Sequence, residues 1–367
     1  MFGVYRTFLA LAVIVHHLLA IPLLGHYAVH GFFILSGYLM TLIMANSYGH
    51  SPRGIGAFAT NRFLRLFPAY WVILIISILI FLWVGDKNVQ GFRFVMGLPD
   101  SFFLWLQNLS LVYANVKPSL VQPRIAPPTW ALTVELFYYF LIAVGVSKSK
   151  KTTVAWLSIS VIYMLGTYIA GLNYDHRYAT LPAGSLPFSI GATIFHYKDK
   201  FALVQEKLST TSSVIGLYVL FLSNVGACIL VQRFTANSLI GEISYFLNYI
   251  LNAGLIIALI PGRVSIVSNN WDKFIGDFSY PIYLAHWQLA LLASMLIFGE
   301  PLNGLNLNGL IVFIATLILC GILSLGLIYF VDRPIEKIRQ RIKRRRITAQ
   351  ETKFVQPTQS SRTAESI

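Results

Sequence analysis

The feature that most constrains this chain is a series of ten apolar runs, each long enough to cross a bilayer as an α-helix. Inside a membrane the backbone must satisfy its own hydrogen bonds, and a helix of about 20 apolar residues does so. Only 11% of the residues are charged, whereas about a quarter of a soluble domain is charged. We therefore predict an all-α, polytopic integral membrane protein with about ten transmembrane helices in one bundle. The predicted spans lie near residues 6–24, 28–46, 68–85, 129–147, 153–172, 180–197, 212–231, 240–261, 278–298 and 307–330.

The positions of the positive charges predict how these spans are oriented. Most of the 28 lysines and arginines fall in segments that are cytoplasmic if both termini are inside, and the positive-inside rule favours that arrangement in the cell (inner) membrane. The net charge of +14 therefore predicts contact with anionic lipid headgroups and not with nucleic acid. The outer segments hold the remaining cations, which are Lys87, Arg93, Lys117, Arg124, Arg177 and Arg233.

The chain is predicted to have one membrane-embedded domain and a short polar extension. The domain covers residues 1–334, and residues 335–367 form a basic juxtamembrane segment followed by a disordered tail. Cys228 and Cys320 both lie inside apolar runs, so they predict neither a disulfide nor a metal site. The first apolar run leads straight into the second without a cleavage site, so we expect no cleavable signal peptide.

The longest connection lies on the predicted outer side, over residues 86–128. A loop of this length is more often functional than a simple link. Its apolar stretch 101–114 is too short to span a bilayer, and we expect it to be interfacial or re-entrant.

The first predicted span contains two cations, Arg6 and His17. Eleven positions at about 100° each bring the two residues to within about 20° of one helix face, separated by about 16 Å along the axis. Arg6 would then lie at the membrane surface and His17 about halfway through the span. An ionisable group at that depth indicates a functional site, although a histidine hydrogen-bonded to a neighbouring helix would explain it too.

A second motif pairs Arg62 with Arg65, just before Pro68. Three positions of helix place both guanidinium groups on one face, and Pro68 is expected to begin the next span. Paired guanidinium groups at the cytoplasmic surface suit a ligand with several phosphates. Ordinary positive-inside anchoring is the alternative.

A third motif places Glu135 within the first two turns of a span, between Trp130 and Tyr139. A carboxylate at that depth needs a partner, and His17 is one candidate. The alternative is a purely structural pair with another polar group.

Two further segments are rich in small or aromatic residues. Ser36 and Gly37 form a small pair that lets a neighbouring helix approach closely. Tyr283 and His286 share a helix face at three positions' spacing, and packing accounts for them without a direct catalytic role for His286.

Taken together and in this order, the motifs are similar to those of the acyltransferase-3 family, integral membrane acyltransferases that modify bacterial surface glycans and related acceptors. His30 departs from the pattern, because many members carry an acidic residue at that position. The residues that carry the resemblance are Arg6 and His17; Phe32, Phe33, Ser36, Gly37 and Tyr38; Arg62, Arg65 and Pro68; Trp130, Leu132, Glu135 and Tyr139; Ser279, Tyr280, Tyr283, Leu284 and His286; and Asp332, Arg333 and Pro334.

The resemblance implies an O-acyltransferase that uses acyl-CoA, most often acetyl-CoA, as co-substrate and has no permanently bound cofactor or metal. The acceptor would be a hydroxyl of a cell-surface or lipid-linked glycan. His17 would act as general base or as transient acyl carrier, helped by Glu135 and Arg6, while Arg62 and Arg65 would bind the phosphates of the donor. The substrate contacts would be Trp130, Tyr139, Ser36, Tyr280 and His286.

Two other classes of protein fit parts of the sequence. A multi-pass transporter or flippase of lipid-linked saccharides could use the intramembrane His and Glu as a proton relay. Transporters usually have two matching halves, and no such symmetry is visible here. A scaffold subunit would explain the spans but not the arginines and His17 together. The oligomeric state does not follow from the sequence.

Overall fold

The computed structural model of the chain describes residues 2–235, 238–262, 264 and 267–343. In these residues the chain forms fourteen α-helices. The first seven are α1 (Gly3–Leu18), α2 (Leu24–Ile43), α3 (Pro52–Val84), α4 (Asp86–Phe92), α5 (Phe102–Ser110), α6 (Trp130–Val144) and α7 (Lys150–Ile169). The others are α8 (Tyr174–Tyr178), α9 (Ser185–Tyr197), α10 (Ala202–Leu208), α11 (Thr211–Phe234), α12 (Ser238–Leu259), α13 (Asn269–Phe298) and α14 (Leu307–Leu327).

The helices confirm the prediction of an all-α, polytopic membrane protein. Among the described residues, eight helical segments are long and apolar enough to cross a membrane. Each of the ten predicted runs is helical, but two of them are not among these eight segments: α1, with 16 residues, and α9, with 13. The number of ten spans therefore stays a prediction.

The prediction that Pro68 begins a span was wrong. Helix α3 starts at Pro52, where the Ser51 side chain accepts a hydrogen bond from Gly54 N, and it continues through Pro68 to Val84. An interior proline removes one backbone hydrogen bond, which a membrane bundle tolerates when neighbouring helices hold the segment. Arg62 and Arg65 consequently lie on one rigid helix that runs into the membrane.

The segment that follows α14 is also more helical than expected. A π-helical turn, Ile328–Asp332, follows α14, and helical structure continues to Lys343 across the predicted domain boundary at 334/335. The predicted disordered tail, from about residue 347, lies outside the described residues.

The site is positioned by α1, which packs against α2 and α13, while α2 packs against α9. Helices α1 and α13 run parallel, because Gly3 N and Val4 N donate to the Asp272 carboxylate and Thr7 Oγ1 donates to Ile275 O at 2.7 Å. The two backbones approach closely at Gly276, where an added Cβ would lie 2.5 Å from Gly3 Cα. Small residues at a helix crossing allow this separation.

Helix α14 shows the lipid-facing side of the bundle. Ile314, Ile318 and Ile322, spaced by four residues, are each more than half exposed. On the opposite face Thr316 and Ser324 are fully buried, and their hydroxyls donate to carbonyls one turn back along the helix. This inside-out polarity is expected of a helix solvated by lipid.

The long loop that is predicted to lie outside, residues 86–128, is ordered by two buried polar side chains. Asn108 Oδ1 accepts from Ile125 N at 3.0 Å, and the Asn108 amide donates to Leu104 O and Pro123 O. Arg124 donates to three loop carbonyls, and burial lowers the pKa of its guanidinium to about 10. The stretch predicted to be interfacial or re-entrant contains α5, with Phe102 83% exposed at its start and Asn108 fully buried near its end.

Candidate functional site

Seven of the residues predicted for the site line one inner cavity of about 150 Å³. Five helices contribute them, α1, α2, α3, α6 and α13, so positions remote in sequence meet at one place. Aromatic and aliphatic side chains such as Phe32 and Leu66 form much of the remaining wall. The seven are Arg6, Ser36, Arg62, Arg65, Glu135, Tyr139 and Tyr280.

Glu135 has two hydroxyl partners in this cavity. Its Oε1 accepts a hydrogen bond from Ser36 Oγ and another of 2.6 Å from Tyr139 Oη, one turn further along α6. The expected contact between Glu135 and His17 is therefore wrong, because the carboxylate is held by α2 and α6 while His17 faces α13. A carboxylate with two donors keeps a fixed position in the wall.

The small pair on α2 has two separate roles. At Gly37 an added Cβ would lie 2.8 Å from Phe188 C on α9, so the predicted close approach of a neighbouring helix is confirmed there. Ser36, the other member of the pair, donates a hydrogen bond from its hydroxyl to Glu135 in the cavity. One dipeptide therefore fixes both the α2–α9 packing and the carboxylate.

The guanidinium groups in the cavity retain free donor capacity. Arg6 Nε and Arg62 Nε are buried and have no hydrogen-bond partner within the described part of the chain. Arg62 otherwise donates to Asn61 Oδ1 at 3.0 Å, and Arg65 Nη1 lies 3.8 Å from Asp332 Oδ2. Three guanidinium groups around one lining carboxylate make the cavity electropositive, and buried donors without partners favour an acceptor-rich ligand.

A second, polar cavity of about 390 Å³ adjoins the first. The two cavities share Arg6 and Arg65 in their walls. Three more cations line the second one, and sequence reasoning did not assign them to a site: Lys273, Arg333 and Arg339. The carboxylates in its wall are Asp277, Asp332 and Glu336.

Arg339 shows how the basic segment after α14 joins the site. Its guanidinium donates to Glu336 and, at 3.2 and 3.3 Å, to Asn61 Oδ1 on α3. Arg339 belongs to the predicted basic juxtamembrane segment, and it lines the polar cavity. The sequence does not reveal that Arg339 joins this site, because its partner Asn61 on α3 lies 278 residues earlier in the chain.

His17 lies apart from the lining of the inner cavity and pairs with His286. Its Nδ1 is 2.8 Å from His286 Nε2, and His286 Nδ1 is 2.8 Å from Tyr283 O. The predicted common face of Arg6 and His17 is confirmed, since Arg6 approaches Gly276 and His17 approaches His286 along the same side of α13. Tyr283 connects the two regions, because its side chain lines the cavity and its carbonyl holds His286.

The expectation that His286 contacts the substrate needs correction. The side chain is fully buried, and both of its ring nitrogens have protein partners. The sequence spacing of His286 from Tyr283 predicted that they share a helix face. The pairing of His286 with His17 could not be predicted in this way, because it depends on how α1 packs against α13.

Trp130 also lies away from the inner cavity, at the end of a row of aromatic rings that leads to His17. Its ring centroid is 5.4 Å from that of Tyr178, which stacks on His26 at 4.2 Å. His26 is 5.0 Å from His16, and His16 is 5.1 Å from His17. We call these residues (Trp130, Tyr178, His26, His16) the aromatic row. A substrate role for Trp130 stays a prediction.

Arg93, a cation of the 86–128 loop, lies near His17 through a shared neighbour, Trp287. Trp287 packs on the His17 ring at 5.2 Å, and the Arg93 guanidinium lies 5.0 Å above the Trp287 ring. Burial lowers the pKa of Arg93 from its ordinary value. Cation–π contact at this distance is attractive, so this contact holds the 86–128 loop next to His17.

His30, where the family pattern differs, lies outside the cavity. Its ring is buried among Tyr178, Tyr245 and Tyr249, and its Nδ1 has no partner among the described residues. A carboxylate here would lack a cationic partner in that ring of tyrosines, so an imidazole suits the site better.

The model of a family described as an acyltransferase domain matches residues 3–325. The chain is 23% identical over 363 residues to the peptidoglycan O-acetyltransferase OatA of Listeria monocytogenes, covering 90% of this chain and 55% of that protein. YrhL of Bacillus subtilis is 24% identical over 310 residues, covering 79% and 48%. Nodulation protein 10 of Rhizobium leguminosarum is 26% identical over 149 residues, covering 39% of each. The chain thus spans about half the length of the curated relatives it matches, and no solved structure matches it.

Proposed function

The chain belongs to the acyltransferase-3 family, and from that premise we propose that it transfers an acyl group, acetyl in the simplest case, from acyl-CoA to a hydroxyl of a cell-surface or lipid-linked glycan. The observation that carries the proposal is the pair of neighbouring cavities that share Arg6 and Arg65 in their walls. One is polar and cationic, the other is narrow, partly apolar and lined by arginines with free donors. Acyl-CoA has the same two parts, a polyanionic nucleotide and a thin acyl-pantetheine arm.

The donor lies with its phosphates in the polar cavity. Lys273, Arg333 and Arg339 supply charge there, and Arg6 and Arg65 line both cavities. Charge-assisted hydrogen bonds from guanidinium groups are the strongest that a protein offers to phosphate. The arm then enters the inner cavity, where the free Nε–H of Arg62 meets an amide carbonyl of the arm, and the thioester extends beyond it toward His17.

His17 takes the proton from the acceptor. The hydroxyl oxygen attacks the thioester carbonyl carbon while His17 removes the hydroxyl proton, and the carbon–sulfur bond breaks. The acyl group is then an ester of the acceptor, and the departing CoA thiolate takes the proton from His17. General base catalysis of this kind contributes about 10²–10⁴-fold to a rate. The acceptor approaches along the aromatic row, whose rings suit the apolar faces of a sugar.

The arrangement of the chain ends supports a cytoplasmic donor side. Arg6 at the start of α1 and Asp332 just after α14 line the same polar cavity. The start of the first helix and the end of the last one therefore lie on the same side of the bundle. Because acyl-CoA is made in the cytoplasm, we place that side inside and the protein in the cell membrane, with its basic segment against anionic headgroups.

The test measures CoA release from acetyl-CoA by purified protein in lipid vesicles, with and without a crude surface-glycan acceptor. We expect acceptor-dependent release that His17→Gln lowers by at least about 100-fold. His50→Gln is the matched control, because His50 binds a single carbonyl, Ala143 O, away from both cavities. Undiminished turnover in folded His17→Gln would remove His17 from the reaction, and no release with any acyl-CoA would reject the proposed function.

A further inference from the structure

The His17–His286 contact has the geometry of a direct hydrogen bond between ring edges. The two nitrogens are 2.8 Å apart, the ring planes differ by 13°, and the ring centroids are 5.1 Å apart. That centroid separation equals the hydrogen-bond length plus the radii of two imidazole rings, so the rings meet edge to edge instead of face to face. Each nitrogen therefore points its in-plane N–H or lone pair at the other, as a strong hydrogen bond requires.

The backbone of α13 decides where the protons lie. His286 Nδ1 faces two carbonyl oxygens, Tyr283 O at 2.8 Å and Ile282 O at 3.2 Å. Carbonyl oxygens only accept, so Nδ1 carries the proton. A neutral imidazole with Nδ1 protonated has a lone pair on Nε2, which leaves His17 Nδ1 as the donor between the rings.

The same reasoning leaves one atom of His17 free. With its proton on Nδ1, the neutral His17 ring carries its lone pair on Nε2. Within the described part of the chain, no hydrogen bond engages that nitrogen. The other ionisable groups near the pair are His16, His26 and Arg93, and none of them binds His17 through a hydrogen bond.

We propose that His286 is a positioning residue that fixes the tautomer and ring orientation of His17, so that His17 Nε2 is the atom that removes the acceptor proton. This inference rests on the proposed function for its chemical meaning. A chain of two hydrogen bonds, from His17 to His286 and from His286 to the α13 backbone, does the orienting. In other enzymes the outer partner of a functional histidine performs this task as a carboxylate or carbonyl.

A neutral partner has a specific consequence for the reaction. When Nε2 gains the proton, His17 becomes an imidazolium whose Nδ1–H still donates to His286 Nε2, so the hydrogen bond strengthens as charge develops. His286 keeps its own proton on Nδ1 throughout and donates it in the hydrogen bond to Tyr283 O. The pair thus stabilises the cation without placing a permanent negative charge beside the thioester.

Substitutions at His286 test whether its role is to accept the hydrogen bond from His17 or only to fill space. His286→Ala removes the acceptor, and we expect kcat to fall by about 10–100-fold while the KM for acetyl-CoA changes less than about twofold. His286→Gln offers an amide oxygen to His17 Nδ1–H and is expected to restore part of kcat. His196→Gln is the control, since His196 on α9 bonds Ser147 O in the turn between α6 and α7, away from His17. Equal losses in His286→Ala and His286→Gln, with both folded, would contradict the positioning role.

The tautomer itself is measurable without turnover. Magnetic resonance of ¹⁵N-histidine protein in vesicles, compared with His17→Gln to assign the signal, distinguishes Nδ1–H from Nε2–H. We expect a neutral His17 protonated on Nδ1 in the wild type and in His286→Gln, and a mixture or the Nε2–H form in His286→Ala. An Nε2–H His17 in the wild type overturns the inference even if the enzyme is active. Conversely, the Nδ1–H form in a protein that transfers no acyl group leaves the inference standing and rejects the proposed function.

Discussion

The carboxylate of Asp272 accepts a hydrogen bond of 3.0 Å from Gly3 N, so the first turn of α1 is held by a residue 269 positions later in the chain. Asp272 therefore acts as an N-terminal cap supplied by another helix, and its charge complements the positive end of the α1 dipole. This anchor sets the register of α1 on α13. It is the reason that Arg6 meets Gly276 and His17 meets His286.

Asp272→Asn should weaken that anchor. An amide keeps one oxygen acceptor but loses the charge and the second oxygen, so we expect a loss of about 1 kcal/mol in stability. The measurement is thermal unfolding in detergent. Asp199→Asn, an exposed carboxylate in a short connecting turn, should leave the midpoint unchanged. A midpoint for Asp272→Asn equal to that of the wild type would show that the cap contributes nothing.

Gly37→Ala tests the close approach of α2 and α9. The added Cβ would press on the Phe188 backbone, which cannot yield without moving α9, so we expect destabilisation by about 1–3 kcal/mol. Gly216→Ala on α11 is the matched control, because an added Cβ there meets nothing within 4 Å. Alanine also favours helix by up to about 1 kcal/mol over glycine. The comparison fails if both variants shift the unfolding midpoint equally.

Arg62→Met should impair donor binding more than chemistry. The variant removes a guanidinium with a free Nε–H from the inner cavity but keeps a similar volume, so the KM for acetyl-CoA should rise about tenfold. Arg53→Met on the same helix, where the side chain is exposed, serves as control. A normal KM in Arg62→Met would place the donor elsewhere.

Glu135→Gln should lower the rate of the reaction without preventing the protein from folding. The amide oxygen can still accept from Ser36 and Tyr139, so the protein should fold, but the cavity loses the negative charge beside the arginines. We expect kcat to fall by about 10–100-fold. Glu135→Leu leaves the two hydroxyls without their acceptor and should cost about 1–3 kcal/mol in stability as well. Full activity of Glu135→Gln would restrict Glu135 to a structural role.

The polar cavity should recognise the charge of the nucleotide. Removing the 3′-phosphate of acetyl-CoA should raise KM severalfold in the wild type, and rising salt should have the same effect. In a Lys273→Ala/Arg333→Ala double variant the two donors should bind nearly alike, because the partner of the phosphate is gone. The two donors are compared by initial rates in vesicles, and a full preference retained by the double variant would exclude these cations from donor binding.

The sequence alone determined the features that depend on helix period and solvent. Apolar runs of membrane length require helices, because lipid offers no partner to the backbone. Residues spaced by three, four or eleven positions share a helix face. This rule correctly placed Arg62 with Arg65, and Arg6 with His17. It could also have paired Glu135 with Tyr139. These relationships are local, and a helix satisfies them wherever it packs.

Only the tertiary structure decided which faces meet. Glu135 binds Ser36 and not His17, and His17 binds His286, because close packing at Gly37 and Gly276 selects the neighbours of each helix. The contribution of Arg339 to the polar cavity is equally invisible in sequence. Such contacts join residues up to 278 positions apart and depend on the docking of whole helices. Local periodicity fixes the direction of a side chain on its helix, and packing between helices fixes its partner.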